Sequence, residues 1–227
     1  KWYISAIFLL SFLVACQEED PITTTDHSAA SYDSEVVIKW NELILEVERY
    51  TPGYLPPVAA RSLAYIGLAA YETAIPGMPD NKSLGNYYTS LHLPVADKSI
   101  EYHYPIALNA AYASMITSLY PTIPAAQYSA LVTLQNSLNA KYESDVTPAV
   151  YAASVAWGQA IADAVFAWSS TDPAGHEGYL HTTDPAYVPP SGPGRWQPTY
   201  PNYGKPLLPH WGDVRMFAAS TDDRCDD

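Results

Sequence analysis

The residues whose types could do chemistry lie closest together in one short segment rich in histidine and carboxylate side chains. His176, Glu177 and His181 stand there, with Asp172 before them and Asp184 after them. Imidazole nitrogens and carboxylate oxygens are zinc ligands, and loop residues can supply them. The two histidines are five residues apart, a spacing that does not place two ligands on one helical face. Ordinary loop hydrogen bonding is therefore the favoured interpretation, with a metal site as the alternative.

The other histidines are more isolated. His92, Glu101 and His103 precede a predicted helix, and they form a weaker candidate metal cluster. His210 lies between a proline and a tryptophan, where a packing or hydrogen-bonding role is favoured. The segment Gly192-Pro193-Gly194 is not a phosphate-binding loop, because no strand precedes it and no helix follows it.

Arg61 lies in a predicted helix of mostly small residues, where its side chain would be buried. A buried guanidinium needs hydrogen-bond acceptors. Loop carbonyls or a carboxylate such as that of Glu72 could supply them. A structural role is therefore favoured for Arg61 over a role in binding a ligand.

The chain begins with a segment that resembles an export signal. Residues 2–15 are almost wholly apolar and follow Lys1, but they are too few to span a bilayer. The four residues Leu13-Val14-Ala15-Cys16 resemble a lipobox, which predicts a lipid on Cys16. The acidic segment Gln17-Glu18-Glu19-Asp20 follows at once and resembles a surface-export signal. The prediction is an exported outer-membrane lipoprotein that faces the periplasm or the cell surface; a buried helix is the alternative.

The charge and the cysteine count restrict the function further. Lys and Arg number 11 against 24 Asp and Glu, so the formal net charge is -13. This excess of acidic residues excludes general binding to nucleic acid. It also argues against binding to anionic lipid through basic side chains. If Cys16 carries lipid, Cys225 is left over. A partner further along the chain or a free thiol would explain it.

The pattern of apolar residues predicts an all-α helical bundle with four sequence regions. These are a signal peptide with lipobox at 1–16, an acidic and polar tether at 17–33, about five helices at 34–169, and a long aromatic and proline-rich loop at 170–227. About 210 residues remain after the signal, enough for one domain with a core. The predicted helices begin at Ser34, Pro56, about Pro105, after Pro124 and at Thr147-Pro148. The second helix has small residues, mostly alanine, on most of its faces, so it is expected to lie at the centre of the bundle.

The loop has no helical periodicity and many aromatic residues. Six of its aromatics have too much apolar area to be left in water: Tyr179, Tyr187, Trp196, Tyr200, Tyr203 and Trp211. A loop this long is unusual inside a compact domain unless it is functional or packs on something else. We therefore expect it to wrap a surface, and a second helical half outside this chain is the natural candidate.

Two segments of the loop carry a resemblance to a known family. They read PPSGPGRWQPT at 189–199 and LLPHWGDVRMF at 207–217. Together they are similar to a passage in bacterial vanadium-dependent haloperoxidase-like proteins of the type 2 phosphatidic acid phosphatase superfamily. The order of a Trp-containing first helix and an Ala-rich second helix with Ala69-Ala70-Tyr71-Glu72 also fits. The resemblance covers roughly residues 35–221, and it is more specific in the loop than in the helices.

The resemblance implies an oxyanion site that this sequence does not contain. The family holds vanadate, or phosphate in its phosphatase relatives, with a Lys, an Arg-Pro, a Ser-Gly-His, and an Arg followed by a His. Here Ser191-Gly192-Pro193 and Ala174-Gly175-His176 both depart from Ser-Gly-His, and Arg-Pro is absent. Lys205 and Arg215 do not match the pattern either. No catalytic, cofactor-binding or metal-binding residue is therefore carried over.

Two functional hypotheses follow from the sequence. The first is the N-terminal fragment of an exported haloperoxidase-like enzyme, inactive alone. Its full-length form would oxidise halide with hydrogen peroxide on bound vanadate, or do related acid phosphatase chemistry. The alternative is a surface lipoprotein that binds glycan or nutrient through Trp and Tyr side chains. Arg-Pro and then Ser-Gly-His in the downstream reading frame would decide for the enzyme.

The lipobox generates a first testable prediction. Replacing Cys16 by Ala removes the thiol that would carry the lipid, so we expect the precursor to stall or to be released from the membrane fraction. Membrane fractionation with labelled fatty acid measures this outcome, and Cys225→Ala is the matched control that should stay lipidated. A Cys16→Ala protein that still carries lipid would contradict the assignment.

Overall fold

The computed structural model of this chain describes residues 28–88, 90–219 and 223. Cys16, Cys225 and nearly all of the predicted signal and tether lie outside these residues. Five α-helices are present: α1 Glu35–Tyr50, α2 Pro56–Ala74, α3 Tyr104–Leu119, α4 Ala125–Glu143 and α5 Pro148–Ser170. The described residues contain no β-strand. The predicted all-α bundle is confirmed.

Proline marks the start of most helices, as the sequence predicts. Prolines occupy the first turns of α2, α3 and α5, where a missing N–H costs nothing. Pro124 directly precedes α4. Thr147 caps α5, because its side chain accepts a hydrogen bond of 3.3 Å from the Val150 N–H. These local signals fix the helix bounds to within a residue or two of those predicted.

The centre of the bundle is α3, and the expectation that α2 is central is wrong. Helix α3 packs against each of the other four helices, whereas the main contacts of α2 are with α3 and α5. Alanines on several faces of α3 let its neighbours approach. By contrast, Ala60, Leu63 and Gly67 leave one stripe of α2 exposed to solvent. Small residues permit close packing on a face, but they do not require it.

A buried polar network fixes the register of three helices. The Trp40 indole N–H donates to Asn109 Oδ1 over 2.9 Å, which joins α1 to α3. The Asn109 amide nitrogen donates to the Gln135 carbonyl over 3.0 Å and to Asn139 Oδ1 over 2.9 Å, which adds α4. Because an unpaired amide in a core is costly, only one alignment of these helices satisfies Asn109.

Helix α5 packs closely on α3 at Gly158. A Cβ added at Gly158 would overlap the carbonyl oxygen of Ala107 on α3. The Trp157 indole N–H donates to the Thr73 carbonyl over 2.9 Å, which links α5 to the end of α2. By length and composition α5 could also cross a membrane, but its predicted stripe from Ser154 to Trp168 is buried against the bundle.

This contact predicts opposite effects of the same substitution at two helical glycines. We expect Gly158→Ala to lower the free energy of unfolding by about 1–3 kcal/mol, because α3 and α5 must separate. Gly67 is exposed and a Cβ there meets nothing within 4 Å. Gly67→Ala should therefore raise stability by about 1 kcal/mol through helix propensity. Urea unfolding followed by circular dichroism measures both, and equal effects would contradict the close approach.

Candidate functional site: the C-terminal end of α5

The most connected polar cluster of the described residues lies where α5 ends. The last carbonyls of a helix have no partner within the helix and carry partial negative charge. Two arginines supply donors here: Arg61 from α2 and Arg215 from the end of the loop. Arg61 Nη2 donates to the Ser169 carbonyl over 2.8 Å, and Arg215 Nη1 donates to the Trp168 carbonyl over 2.7 Å. Both arginines therefore cap α5.

Asp172 joins the two arginines through one carboxylate. Its Oδ2 accepts from Arg61 Nε over 3.1 Å. Its Oδ1 accepts from the backbone N–H groups of Gly175 and Arg215, each over 3.3 Å. Asp172 is 4% exposed and Arg61 is 8% exposed, so this ion pair is buried. A Cβ at Gly175 would overlap both Arg61 Nε and Asp172 Oδ2, which explains glycine at that position.

Arg215 holds the returning loop against aromatic rings. Its guanidinium lies 4.3 Å from the centre of the Trp168 ring, a cation–π contact. Its Nη1 also donates to the Tyr65 hydroxyl over 3.2 Å, and Nη2 donates to Thr171 Oγ1 over 2.6 Å. Burial raises the pKa of Tyr65 above its ordinary value, although both arginines favour the phenolate. Tyr65 therefore stays neutral and serves Arg215 as an acceptor.

An aromatic cluster completes the attachment of the chain at Phe217. The Phe217 ring lies 4.7 Å from Tyr65 and 5.9 Å from Trp168, edge to face. The Tyr88 hydroxyl donates to the Phe217 carbonyl over 3.2 Å. The Trp168 indole N–H donates to Ser90 Oγ over 2.9 Å. The loop that leaves α5 thus returns to the same helix end and is fixed there.

The structural role favoured for Arg61 fits this geometry: of the acceptors considered for it, a backbone carbonyl is used and the carboxylate of Glu72 is not. The partner is Asp172, 111 residues away, and the carbonyl acceptor is at the end of α5. Glu72 instead accepts from Ser83 Oγ over 2.8 Å and from the Leu84 N–H over 2.6 Å. No local spacing in the sequence indicates a pairing over such a distance, so the sequence does not identify Asp172 as the partner of Arg61.

The histidine and carboxylate segment is divided in the structure. Asp172 pairs with Arg61, whereas Asp184 Oδ2 lies 2.9 Å from His210 Nε2. The hydrogen bond from His210 lowers the pKa of Asp184 below its usual range. The His176 ring lies edge to face on Phe166, and His181 is exposed. Across residues 28–88 and 90–219, no three His, Cys, Asp or Glu side chains converge as metal ligands.

The remaining histidine candidates also lie apart. His103 is buried between the rings of Tyr32, at 4.7 Å, and Tyr142, at 5.3 Å. Ser154 Oγ accepts its backbone N–H over 2.8 Å. His92 lines the edge of a cleft of about 790 Å³ beneath the connection between α2 and α3. Packing and backbone capping therefore account for the placement of His103.

The residues described do not fit vanadate. An oxyanion site needs several converging donors that are not already neutralised. Arg61 lines a cavity of about 200 Å³ with His176 and Tyr179, but its guanidinium is paired with Asp172. Arg195 and Lys205 lie on the exposed loop. The arrangement at the end of α5 holds a loop in place and offers no such set of donors.

The buried pair predicts a large stability loss when its carboxylate is removed. Asp172→Ala leaves the Arg61 guanidinium buried without a counter-charge, which we expect to cost about 3–5 kcal/mol in unfolding free energy. Asp184→Ala removes a carboxylate from an exposed pair and should cost less than about 1 kcal/mol. Chemical denaturation measures both. The double variant Arg61→Met/Asp172→Ala should lose less than the sum of its single variants; additive losses would contradict the pairing.

Comparison with known proteins identifies the fold of this chain. No family model matches the chain, and no curated protein matches it. Among solved structures, the one described as the first bacterial vanadium-dependent iodoperoxidase aligns with a TM-score of 0.63 and 27% sequence identity. The alignment covers 80% of this chain and 41% of that chain, so this chain spans less than half the length of that protein. The chain has a haloperoxidase-like fold, as the resemblance in its loop predicts.

Proposed function

We propose that this chain is the N-terminal helical part of a longer haloperoxidase-like enzyme. The observation that carries the proposal is the likeness to the bacterial vanadium-dependent iodoperoxidase over 80% of this chain but only 41% of that protein. Vanadate, or phosphate in a phosphatase relative, would bind in the longer protein. Halide and hydrogen peroxide would be its substrates. In this proposal the division into signal, tether, bundle and loop at 1–16, 17–33, 34–169 and 170–227 also holds.

The geometry supports a scaffold role for this chain within such an enzyme. The described residues use Arg61 and Arg215 to hold a loop rather than to present donors to a ligand. The loop starts at α5, and its return is fixed at Phe217 by Tyr65, Tyr88 and Trp168. These contacts hold the chain against the bundle at Phe217. The bundle would therefore set the position of whatever follows.

The proposal includes export and a lipid anchor on Cys16. It rests on the lipobox-like run Leu13-Val14-Ala15-Cys16 and the acidic residues after it. Such an anchor would keep the enzyme at the outer membrane, on the periplasmic side or at the cell surface. Cys225 would pair with a cysteine further along the longer protein or remain a free thiol there.

Glycan binding is the second candidate function, and one observation favours it. Trp196 is 50% exposed, Tyr200 82% and Tyr203 65%. Exposed aromatic faces of this kind can stack on sugar rings. This function needs no further chain, so it is testable on the 227 residues alone.

A direct comparison of two polypeptides tests the proposed enzyme. We expect the 227-residue chain neither to retain vanadate on dialysis nor to oxidise bromide or iodide with peroxide. Losing even one donor from an oxyanion site costs on the order of a hundredfold in rate, and here the whole family pattern is absent. The polypeptide extended along its reading frame should retain vanadate and oxidise halide, or hydrolyse a phosphate monoester.

Two outcomes would overturn this assignment. Halide oxidation by the 227 residues alone would place the site within them, and the first residues to replace would be Arg61, His176, His181, Lys205 and His210. An extended polypeptide without vanadate binding, halide oxidation or phosphatase activity would contradict the enzyme. Retention of the 227-residue chain by immobilised glycan, lost in Trp196→Ala, would support the second candidate instead.

A further inference from the structure

The cleft beneath the connection between α2 and α3 is a second concave site of the described bundle. Its volume is about 790 Å³, which lies in the range of clefts that hold small organic ligands. Residues of the connection between 83 and 100 supply part of its lining, and Glu72, Trp157 and Ile161 of the helices supply another part. It shares no lining residue with the polar cluster at the end of α5, so the two are separate sites.

Glu72 brings a buried carboxylate to the wall of this cleft. The residue is 3% exposed. Its Oε1 accepts from the Leu84 N–H over 2.6 Å, and its Oε2 accepts from Ser83 Oγ over 2.8 Å. Ser83 lines the same cleft, which places the carboxylate at its wall.

The Glu72 carboxylate has no counter-charge within the part of the chain that the structure describes. No Lys, Arg or His side chain there forms an ion pair with it. A carboxylate offers about four acceptor positions, so its two hydrogen bonds leave room for a further donor. Because a buried charge is unfavourable without a partner, this carboxylate would gain from a cation in the cleft.

Two aromatic rings line the cleft at the same turn of α2. The ring centres of Tyr102 and Trp157 lie 5.7 Å apart, with 45° between the ring planes. The Trp157 indole N–H donates over 2.9 Å to the carbonyl of Thr73, the residue that follows Glu72. The faces of such rings attract organic cations. Rings and carboxylate therefore favour the same sign of charge in a ligand.

Aliphatic side chains supply apolar wall to the cleft. Ile75, Leu91, Leu93 and Ile161 belong to its lining. Leu91 and Ile161 are part of the hydrophobic core, and Leu93 packs against it, so this wall is held in place by the bundle. Ligand sites typically combine apolar walls of this kind with a few polar groups that fix orientation. The wall suits the hydrocarbon body of an organic molecule.

The exposed charges of the lining compensate one another. Asp97 and Lys98 are adjacent in the chain, and both are exposed. Hydrogen bonds from the Ser99 hydroxyl and N–H lower the pKa of Asp97 below its usual value, so Asp97 is ionised at neutral pH. Lys98 carries the opposite charge. The charge that remains for a ligand to meet is that of Glu72, which favours a cation over an anion.

A metal ion fits this site less well than an organic cation does. Across residues 28–88 and 90–219, no three His, Cys, Asp or Glu side chains converge as metal ligands. A divalent metal requires several such ligands. A primary ammonium group needs only acceptors for its three N–H donors, and it also gains from an aromatic face.

We propose that this cleft binds a small primary amine, in its ammonium form, with an apolar aryl or alkyl body. The ammonium group would donate to Glu72 and lie against Trp157, and the body would lie along Leu91 and Ile161. This inference goes beyond the proposed function and does not rest on it, because every residue it uses belongs to the described chain. It requires neither vanadate nor a longer polypeptide.

Titration calorimetry with a matched set of probes tests the proposal on the 227-residue chain. We expect saturable binding of 2-phenylethylammonium or hexylammonium at about 0.15 M salt, which screens general attraction to an acidic protein. The uncharged 2-phenylethanol should bind on the order of a hundredfold more weakly than 2-phenylethylammonium, because it leaves the buried carboxylate without a counter-charge. Phenylacetate, which is an anion, should show no binding.

Two variants and one control locate the binding. Glu72→Gln keeps an acceptor for the Leu84 N–H but removes the charge, so affinity for 2-phenylethylammonium should fall on the order of a hundredfold. The matched control is Glu143→Gln, at an exposed position of α4 outside the cleft, and it should bind as the parent does. Ala96→Phe places a ring in the cleft without changing the carboxylate, and it should block binding. Circular dichroism checks that each variant is folded.

Several results would overturn the proposal. Equal affinities for 2-phenylethylammonium and 2-phenylethanol would show that the carboxylate does not recognise the ligand. Unchanged binding in folded Glu72→Gln, or in folded Ala96→Phe, would place the amine outside this cleft. Absence of saturable binding of both ammonium probes by the folded chain would overturn the site altogether. An extended polypeptide without vanadate binding, halide oxidation or phosphatase activity would contradict the proposed enzyme and leave this inference standing.

Discussion

The buried pairing of Asp172 with Arg61 is the interaction on which the outer part of this structure depends. A carboxylate and a guanidinium removed from water are tolerated only when their remaining hydrogen-bonding groups are satisfied. Here the Ser169 carbonyl and two backbone N–H groups, those of Gly175 and Arg215, satisfy them. The same few bonds therefore cap the end of α5, hold the start of the loop at Asp172 and hold its returning end at Arg215. Loss of the carboxylate would release all three features together.

The bundle beneath this cluster is held by a different kind of constraint. Helices α3 and α5 touch where Gly158 meets the backbone at Ala107, and Asn109 joins three helices through its side-chain amide. The first contact sets how close the helices lie, and the second sets their register. Neither feature offers a ligand anything to bind. Stability and alignment of the helices therefore come from the interior of the bundle.

The sequence predicts the helices well because their signals are local. Proline in the first turn, the Thr147 cap and the spacing of apolar residues all act within a few positions along the chain. The centre of the bundle was not predictable in the same way. Both α2 and α3 are rich in small residues, and only tertiary packing decides that α3 is surrounded and that α2 keeps an exposed stripe. The pairing of Arg61 with Asp172 could not be predicted from the sequence either, because 111 residues separate the partners.

The loop shows why a resemblance can identify a fold without identifying a site. The segments at 189–199 and 207–217 point to the haloperoxidase-like fold, and the structural likeness confirms it. Yet Arg215, a cation within those segments, caps α5 and stacks on Trp168. Residues that resemble the family's sequence here hold the loop on the bundle, whereas binding an oxyanion requires other donors. Trp196, Tyr200 and Tyr203 of the same loop remain exposed, so the loop that carries the resemblance also carries apolar surface that the described residues do not cover.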